Sequence, residues 1–491
     1  MSAHVQQPAP TWDCPFDHTQ ALEPDPLLGR LRAEAPVARI RMPYGDGEAW
    51  LVTRYEDVRT VTTDRRFSRA AGIGRDLPRM TPDAIAQPEA INLMDPPAYS
   101  RLRSLVAKGF TNRQVEQLRP KTQHTVDTLL DEMAEHGSPA DLVHHLSARL
   151  PLTMICEMLA LPEADRPRLR RWAMAQMATG PADRAESARA KTELRAYFTE
   201  LTAERRRRPG DDLISSLATA RDGDELLDDQ ELAVLAMVLL VTGHDTSTYQ
   251  LSNITYTLLT HPPQLAALRA APELLPAALE ELLRFIPFRQ GVGIARVATE
   301  DVELGGVTIR AGEPVHVSYL AANRDAEVFE NPDELDFARP SATHMTFGYG
   351  THHCIGAHLA RMELQVAVGT LLLASPNCAS PSPRANSTGT PARSGATRRR
   401  SRWPGERRAA PAGGRRAHGD PVPAGRRRPR ARHHPGPDPG AGPYPARRPS
   451  PTPAGPAADR EHRGPDQAPR PAGRGDPATS GLHRPERRLR P

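Results

Sequence analysis

Beyond Leu373 the chain loses the residues from which a protein core is made. From Ala374 to Pro491 there is no Ile, Phe, Met or Lys, only one Val and two Leu, against 25 Arg and nearly half of the chain's 51 prolines. A segment of that kind cannot bury enough apolar surface to offset the entropy lost on ordering it. Residues 374–491 are therefore expected to form a disordered tail, and residues 1–373 to hold the whole fold. The tail also masks the charge of the body: it carries +17, the chain +5, and residues 1–373 therefore −12.

Within residues 1–373 the pattern is mainly helical, with short strands near the start and again after residue 290. "EAWLVTRYEDVRTVTTD" reads as a strand running into a helix, and "VELGGVTIRAGEPVHVSYLAANRD" as a hairpin ended by a loop. Long helices are expected between about 97 and 290, and a long loop over Ala70–Met94. The longest apolar run, Leu232–Val241, is far short of the roughly 20 residues that span a bilayer. The N-terminus lacks the charged start and apolar centre of a signal peptide, and four cysteines without a CxxC pair argue against a disulfide framework. A cytoplasmic protein with no membrane segment is the expectation.

One cysteine stands apart. In "HMTFGYGTHHCIGAHLARMELQV", Cys354 is fenced by glycines at 348, 350 and 356 and by histidines. A buried structural thiol is the commonest fate of a lone cysteine. A zinc site using His352, His353, Cys354 and His358 asks adjacent residues to converge on one tetrahedron. A nucleophilic cysteine needs a base, which spacing does not identify. A thiolate ligand to haem iron asks for a sulfur placed just before a helix, where free N–H groups stabilise its charge, and for glycines that let the backbone approach a flat macrocycle. The sequence after Cys354 has apolar residues at 359, 362, 366 and 370, the period of a helix.

"FGYGTHHCIG" resembles the haem-binding loop of the cytochrome P450 family, F-G-x-G-x-H-x-C-x-G, at every fixed position. The resemblance extends over residues 10–372. It implies a mainly α cytochrome P450 fold with small β-sheets, a buried haem b (iron protoporphyrin IX) and Cys354 as axial ligand of the iron. "EELLR" and "FENPDELDFAR" are similar to the family's buried ion network, here Glu281, Arg284 and Arg339; read alone, Glu281 and Arg284 are an ordinary i,i+3 surface pair. "VLLVTGHDTSTYQ" looks like the oxygen-activation helix, which implies Gly243 beside the haem and Asp245 and Thr246 in proton delivery; the plain reading of Thr246 is a hydroxyl bonded back to the preceding turn. Thr242 departs from the Ala or Gly usual before the glycine. For the haem propionates the resemblance nominates His352, Arg296 and Arg103, with Tyr99 where many bacterial members have histidine. Arg101, Arg103 and Lys108 also read as a solvated basic face, suited to an acidic electron donor.

The function implied is a monooxygenase that inserts one oxygen atom from O2 into a hydrophobic small molecule, with electrons from a ferredoxin and its NAD(P)H-dependent reductase. The stretch from Arg284 to Asp325 resembles actinobacterial members of natural-product pathways, including one that couples aromatic polyketides, so the substrate expected is polyketide-like and the alternative is phenol coupling. A haem-binding pseudoenzyme and a nucleic-acid binder acting through "GRRRPRARHH" are the readings from other classes; the second has only one Trp and one Tyr in the tail with which to stack on bases, and nucleic acid is not an expected partner.

The tail itself reads as a change of frame. The family continues from this helix into R-F-P-x-L-R-L, whereas here one finds "LASPNCASPSPRANSTG". Leu373–Gly389 can be back-translated so that the same bases, read one base earlier, spell "RFPQLRLAVPESELDW". Ser375, Cys378, Ser380, Ser382 and Ser387 then fall where Phe, Leu, Leu, Val and Leu are wanted. The consequence expected is loss of the terminal strands that close the family's substrate pocket.

Overall fold

A computed structural model describes residues 10–13, 22–80, 88–176, 184–222, 225–287, 293–340 and 343–374. Apart from Ala374, the expected tail lies outside these residues, as do Cys14 and Cys378. The described part is mainly helical with small sheets, as the sequence implies.

The longest described helix, Asp229–Thr260, begins with a reciprocal cap. The Asp228 carboxylate accepts from the Glu231 N–H at 2.7 Å, and the Asp228 N–H donates to the Glu231 carboxylate at 3.1 Å. By length and composition this helix could cross a bilayer, although the unbroken apolar run Leu232–Val241 within it is far shorter. Instead, 61% of its apolar window is buried inside the protein, among helices Leu150–Met158 and Arg184–Arg207, so its apolarity belongs to a core. Helix Ala357–Ala374, which follows Cys354, packs on helix Asn112–His136.

On the other side lies a six-stranded sheet in the order Thr11–Asp13, Val37–Arg41, Ala49–Val52, Pro314–Val317, Arg296–Ala298, Phe67–Ser68. "AWLV" is buried at all four positions because it is a central strand, paired antiparallel with Val37–Arg41 and parallel with Pro314–Val317. Arg54 then starts helix Tyr55–Thr63, the expected strand-to-helix unit.

The expected hairpin forms between Val302–Leu304 and Val307–Ile309, turned by Gly305 and Gly306, both at positive φ. The structure corrects its end. Pro314–Val317 leaves the hairpin to join the large sheet, and a short helix, Tyr319–Ala322, capped by the Ser318 hydroxyl, stands where a loop was expected.

Early and late parts of the chain meet closely. The Tyr55 hydroxyl donates to the Thr343 carbonyl at 2.6 Å, 288 positions later. Gly350, at φ +70°, leaves so little room that a Cβ there would lie 2.5 Å from the Thr62 carbonyl oxygen, so glycine is required on both counts.

Candidate active site

The cysteine loop is held by its own backbone. The Cys354 N–H donates to the Phe347 carbonyl at 2.8 Å, and Gly348 and Gly350 both take positive φ so that the chain can fold back. Three residues later helix Ala357–Ala374 begins. The sulfur is open to a cavity of about 320 Å³, whose opposite wall is Thr242, Gly243, Thr246 and Ser247 of the long helix. Burial by the rest of the protein pushes the thiol up, against the pull of a Gly356 N–H directed at the sulfur and of Arg103 and Arg361. Such a thiol keeps its proton until a metal takes the sulfur. The zinc alternative finds no support in the geometry: among the described residues no three His, Cys, Asp or Glu are grouped to hold a metal ion.

The Thr246 hydroxyl lines the cavity and donates to the Thr242 carbonyl at 2.7 Å, while the Thr242 hydroxyl donates to Val238 at the same distance. The backbone remains helical throughout. Asp245, half-buried, is not among the residues lining the cavity. Gly243 does line it, and a Cβ there would lie 3.2 Å from the Ile155 side chain, so its smallness serves the packing of two helices as well as the cavity. His244, on the far side, is buried, faces the Ala148 carbonyl at 3.2 Å and is pushed down to about 4 by burial.

At one edge of the cavity donors converge. Arg296 is buried with neither terminal nitrogen hydrogen-bonded among the described residues. His352 lines the cavity and is held down to about 2, first by burial and then by Arg69, Arg296 and Arg103, so it is a neutral imidazole. Arg103 donates through Nη1 to the His353 carbonyl at 2.7 Å and to the Tyr99 hydroxyl at 3.1 Å, which makes it a brace for the loop. Tyr99 donates in turn to the Thr351 carbonyl at 2.7 Å and packs against His352 with ring centroids 4.2 Å apart. Its hydroxyl hydrogen is thus engaged within the protein. Arg69, buried and lining the cavity, belongs to this group and carries no motif; only its place directly after strand Phe67–Ser68 marks it. The basic face is smaller than the sequence suggests, because Arg101 pairs with Glu231.

The ion network is buried. Arg284 meets the Glu281 carboxylate with Nε at 2.7 Å and Nη2 at 2.8 Å, and Arg339 Nε reaches both its oxygens at 3.0 and 3.1 Å. The remaining Arg284 donors reach the carbonyls of Asn323, Pro332 and Glu334. The i,i+3 pair is therefore an anchor between the helix Leu275–Phe285 and the segment 323–339, and surface pairing does not describe it.

A pocket with a sulfur before a helix, an opposing helix of small and hydroxyl residues, and buried guanidinium groups lacking anions fits an iron porphyrin with two carboxylates. A family model for cytochrome P450 matches residues 180–374. Nocardicin C N-oxygenase of Nocardia uniformis is 48% identical over 74% of this chain and 90% of that protein. Mycinamicin IV hydroxylase/epoxidase of Micromonospora griseorubida is 46% identical over 73% of this chain and 89% of its own length. The crystal structure of a P450 with biaryl coupling reactivity superposes with a TM-score of 0.73 at 67% identity, covering 75% of this chain and 93% of that one.

Proposed function

The chain belongs to the cytochrome P450 family, and we propose that it works as a haem-thiolate monooxygenase inserting one oxygen atom from O2 into a hydrophobic, polyketide-like secondary metabolite. The observation that carries this is the cavity between Cys354 and the Thr242–Thr246 turn. Bound haem b supplies the oxygen-activating chemistry. Cys354 holds its iron, with the Gly356 N–H and the following helix N-terminus favouring the thiolate. Arg296 and His352 receive its carboxylates, and Arg103 keeps the loop in place for them. Thr246 holds a proton at the cavity wall, resupplied through Asp245 from outside it. Glu281, Arg284 and Arg339 fix the segment from which the cysteine loop departs.

The relatives act on secondary metabolites by name, a nocardicin and a mycinamicin, which supports a tailoring role here. Electrons come from a separate ferredoxin with an NAD(P)H-dependent reductase, in the cytoplasm. Turnover of a candidate substrate under labelled O2 tests the reading: one labelled oxygen atom in the product is expected. Haem uptake without any product would favour the pseudoenzyme.

The 67% identity to the biaryl-coupling enzyme favours a second reading, oxidative coupling of phenols. It makes the opposite isotopic prediction. Two phenols lose one hydrogen atom each and a carbon–carbon bond forms, while O2 takes up those two hydrogen atoms together with two electrons from the ferredoxin and two protons and leaves as two waters, so no label enters the product.

A further inference from the structure

Two guanidinium groups are buried side by side here: Arg69 lines the cavity, and Arg296, set behind the lining, is near enough for its charge to act on Arg69 and on the cavity-lining His352. Arg296 is 2% exposed, with Nη1 and Nη2 unpartnered among the described residues. Arg69 is 8% exposed; its Nη1 donates to the Asn92 carbonyl at 2.8 Å and its Nε is unpartnered among the described residues. The carboxylate of Asp95 acts on the Arg69 guanidinium only as the weakest of its influences, because it is turned to backbone: it accepts from the N–H groups of Arg69 and Ala70 at 3.0 and 3.2 Å, and from the Ser68 hydroxyl. Arg103 spends its Nη1 on the cysteine loop. The cavity edge therefore carries two buried positive charges, and a buried charge without a partner is costly.

We propose that Arg69 joins Arg296 and His352 in holding the two carboxylates of the haem, so that haem binding neutralises a pair of cations, Arg69 and Arg296, that destabilises the protein without it. This rests on the haem reading above and adds to it a partner that no motif reveals. Arg69 then acts with opposite sign in the two states: it weakens the apoprotein and strengthens retention of the cofactor.

The test is a cycle between side chain and porphyrin. Wild type, Arg69→Met and Arg69→Lys are each loaded with iron protoporphyrin IX or with its dimethyl ester, and transfer of haem to an excess of an apo-globin is timed. With the diacid, Arg69→Met should release haem roughly 10- to 100-fold faster, the factor expected for one lost hydrogen bond between charged groups, and Arg69→Lys should recover part of the loss. With the diester, wild type and Arg69→Met should release alike. The Arg69→Met apoprotein should melt several degrees above the wild-type apoprotein. Equal sensitivity to Arg69 with both porphyrins, or an apoprotein that is not stabilised by Arg69→Met, overturns the pairing. Wild type that takes up neither porphyrin overturns the haem reading itself and the pairing with it.

Discussion

Arg361 grips Glu280 through two parallel hydrogen bonds of 2.7 Å, and His344 reaches the same carboxylate at 3.1 Å. One side chain thereby ties helix Leu275–Phe285 to the helix after Cys354 and to the start of the cysteine loop. Burial alone would raise the Glu280 carboxyl, but the bonds from Arg361 and His344 outweigh it and hold it at about 2, against the usual 4.5. A depressed carboxyl stabilises the fold in its ionised form. That contribution is complete above about pH 4.5 and is lost as pH falls toward 2. Glu280→Gln should therefore lower the urea midpoint at pH 7, and the gap from wild type should narrow steadily below pH 4.5. A gap independent of pH would assign the effect to packing.

Its neighbour Glu281 should matter more. Glu280 has 41% of its side chain exposed, Glu281 only 6%, and solvent screens the first far more than the second. Glu281→Gln leaves Arg284 and Arg339 buried without their anion, a change that costs about 3–5 kcal/mol. Denaturant unfolding of the two variants side by side should show the larger loss at 281.

Replacing Cys354 tests the iron ligand. Cys354→Ala and Cys354→His should both lose the carbon monoxide difference spectrum of a thiolate-ligated haem, because neither side chain offers the electron density of a thiolate. Cys156, buried and pushed up to about 12 by burial, cannot substitute. A thiolate spectrum in Cys354→Ala would sink the assignment.

At the opposite wall, Thr246→Ala should bind haem normally yet divert reduced oxygen to hydrogen peroxide, whereas Thr246→Ser should stay coupled. Asp245→Asn should slow turnover with little added peroxide. NADPH consumption against product and peroxide separates the cases. Full coupling in Thr246→Ala would leave its bond to the Thr242 carbonyl as the whole of its role.

How much of this could be read beforehand follows the range of each interaction. Cys354 lies in a motif in which every residue is a near neighbour, and Glu281 and Arg284 are three apart, so the family resemblance could mark both, although spacing alone made the second a surface pair. Arg69 has its partners at Asn92 and Asp95 and its charged neighbour at Arg296. Glu280 meets Arg361 across 81 positions. No periodicity encodes such meetings; they arise when the sheet and helices assemble. The same holds for Tyr99, whose suitability as a donor depended on a carbonyl 252 positions away, and for Asp245, whose place outside the cavity wall is set by the rotation of its helix.

The change of frame inferred after Leu373 makes a prediction about the gene. The matches to the relatives cover about three quarters of this chain and about nine tenths of each relative, the proportions expected if the last segment departs from the family. Independent reads across the codons for Gly369 to Pro376 should show a one-base difference, and the restored product should carry the apolar residues of "RFPQLRL". An unbroken frame, with tail peptides found by mass spectrometry, would refute it.

The meeting of Tyr55 with Thr343 also sets a schedule. Strand Ala49–Val52 has Pro314–Val317 as one of its two neighbours, so the first hundred residues cannot complete their sheet until the chain has been made past residue 317, and Gly350 closes on Thr62 later still. At about 5–20 residues per second, synthesis leaves that early strand edge open for roughly 13–53 s. During that interval the nascent protein presents an unpaired apolar edge beside identical chains growing on neighbouring ribosomes, a template for misassembly. Cofactor loading is then necessarily a late event, and a cell making this protein in quantity should benefit more from chaperones that shield nascent strands than from an excess of haem.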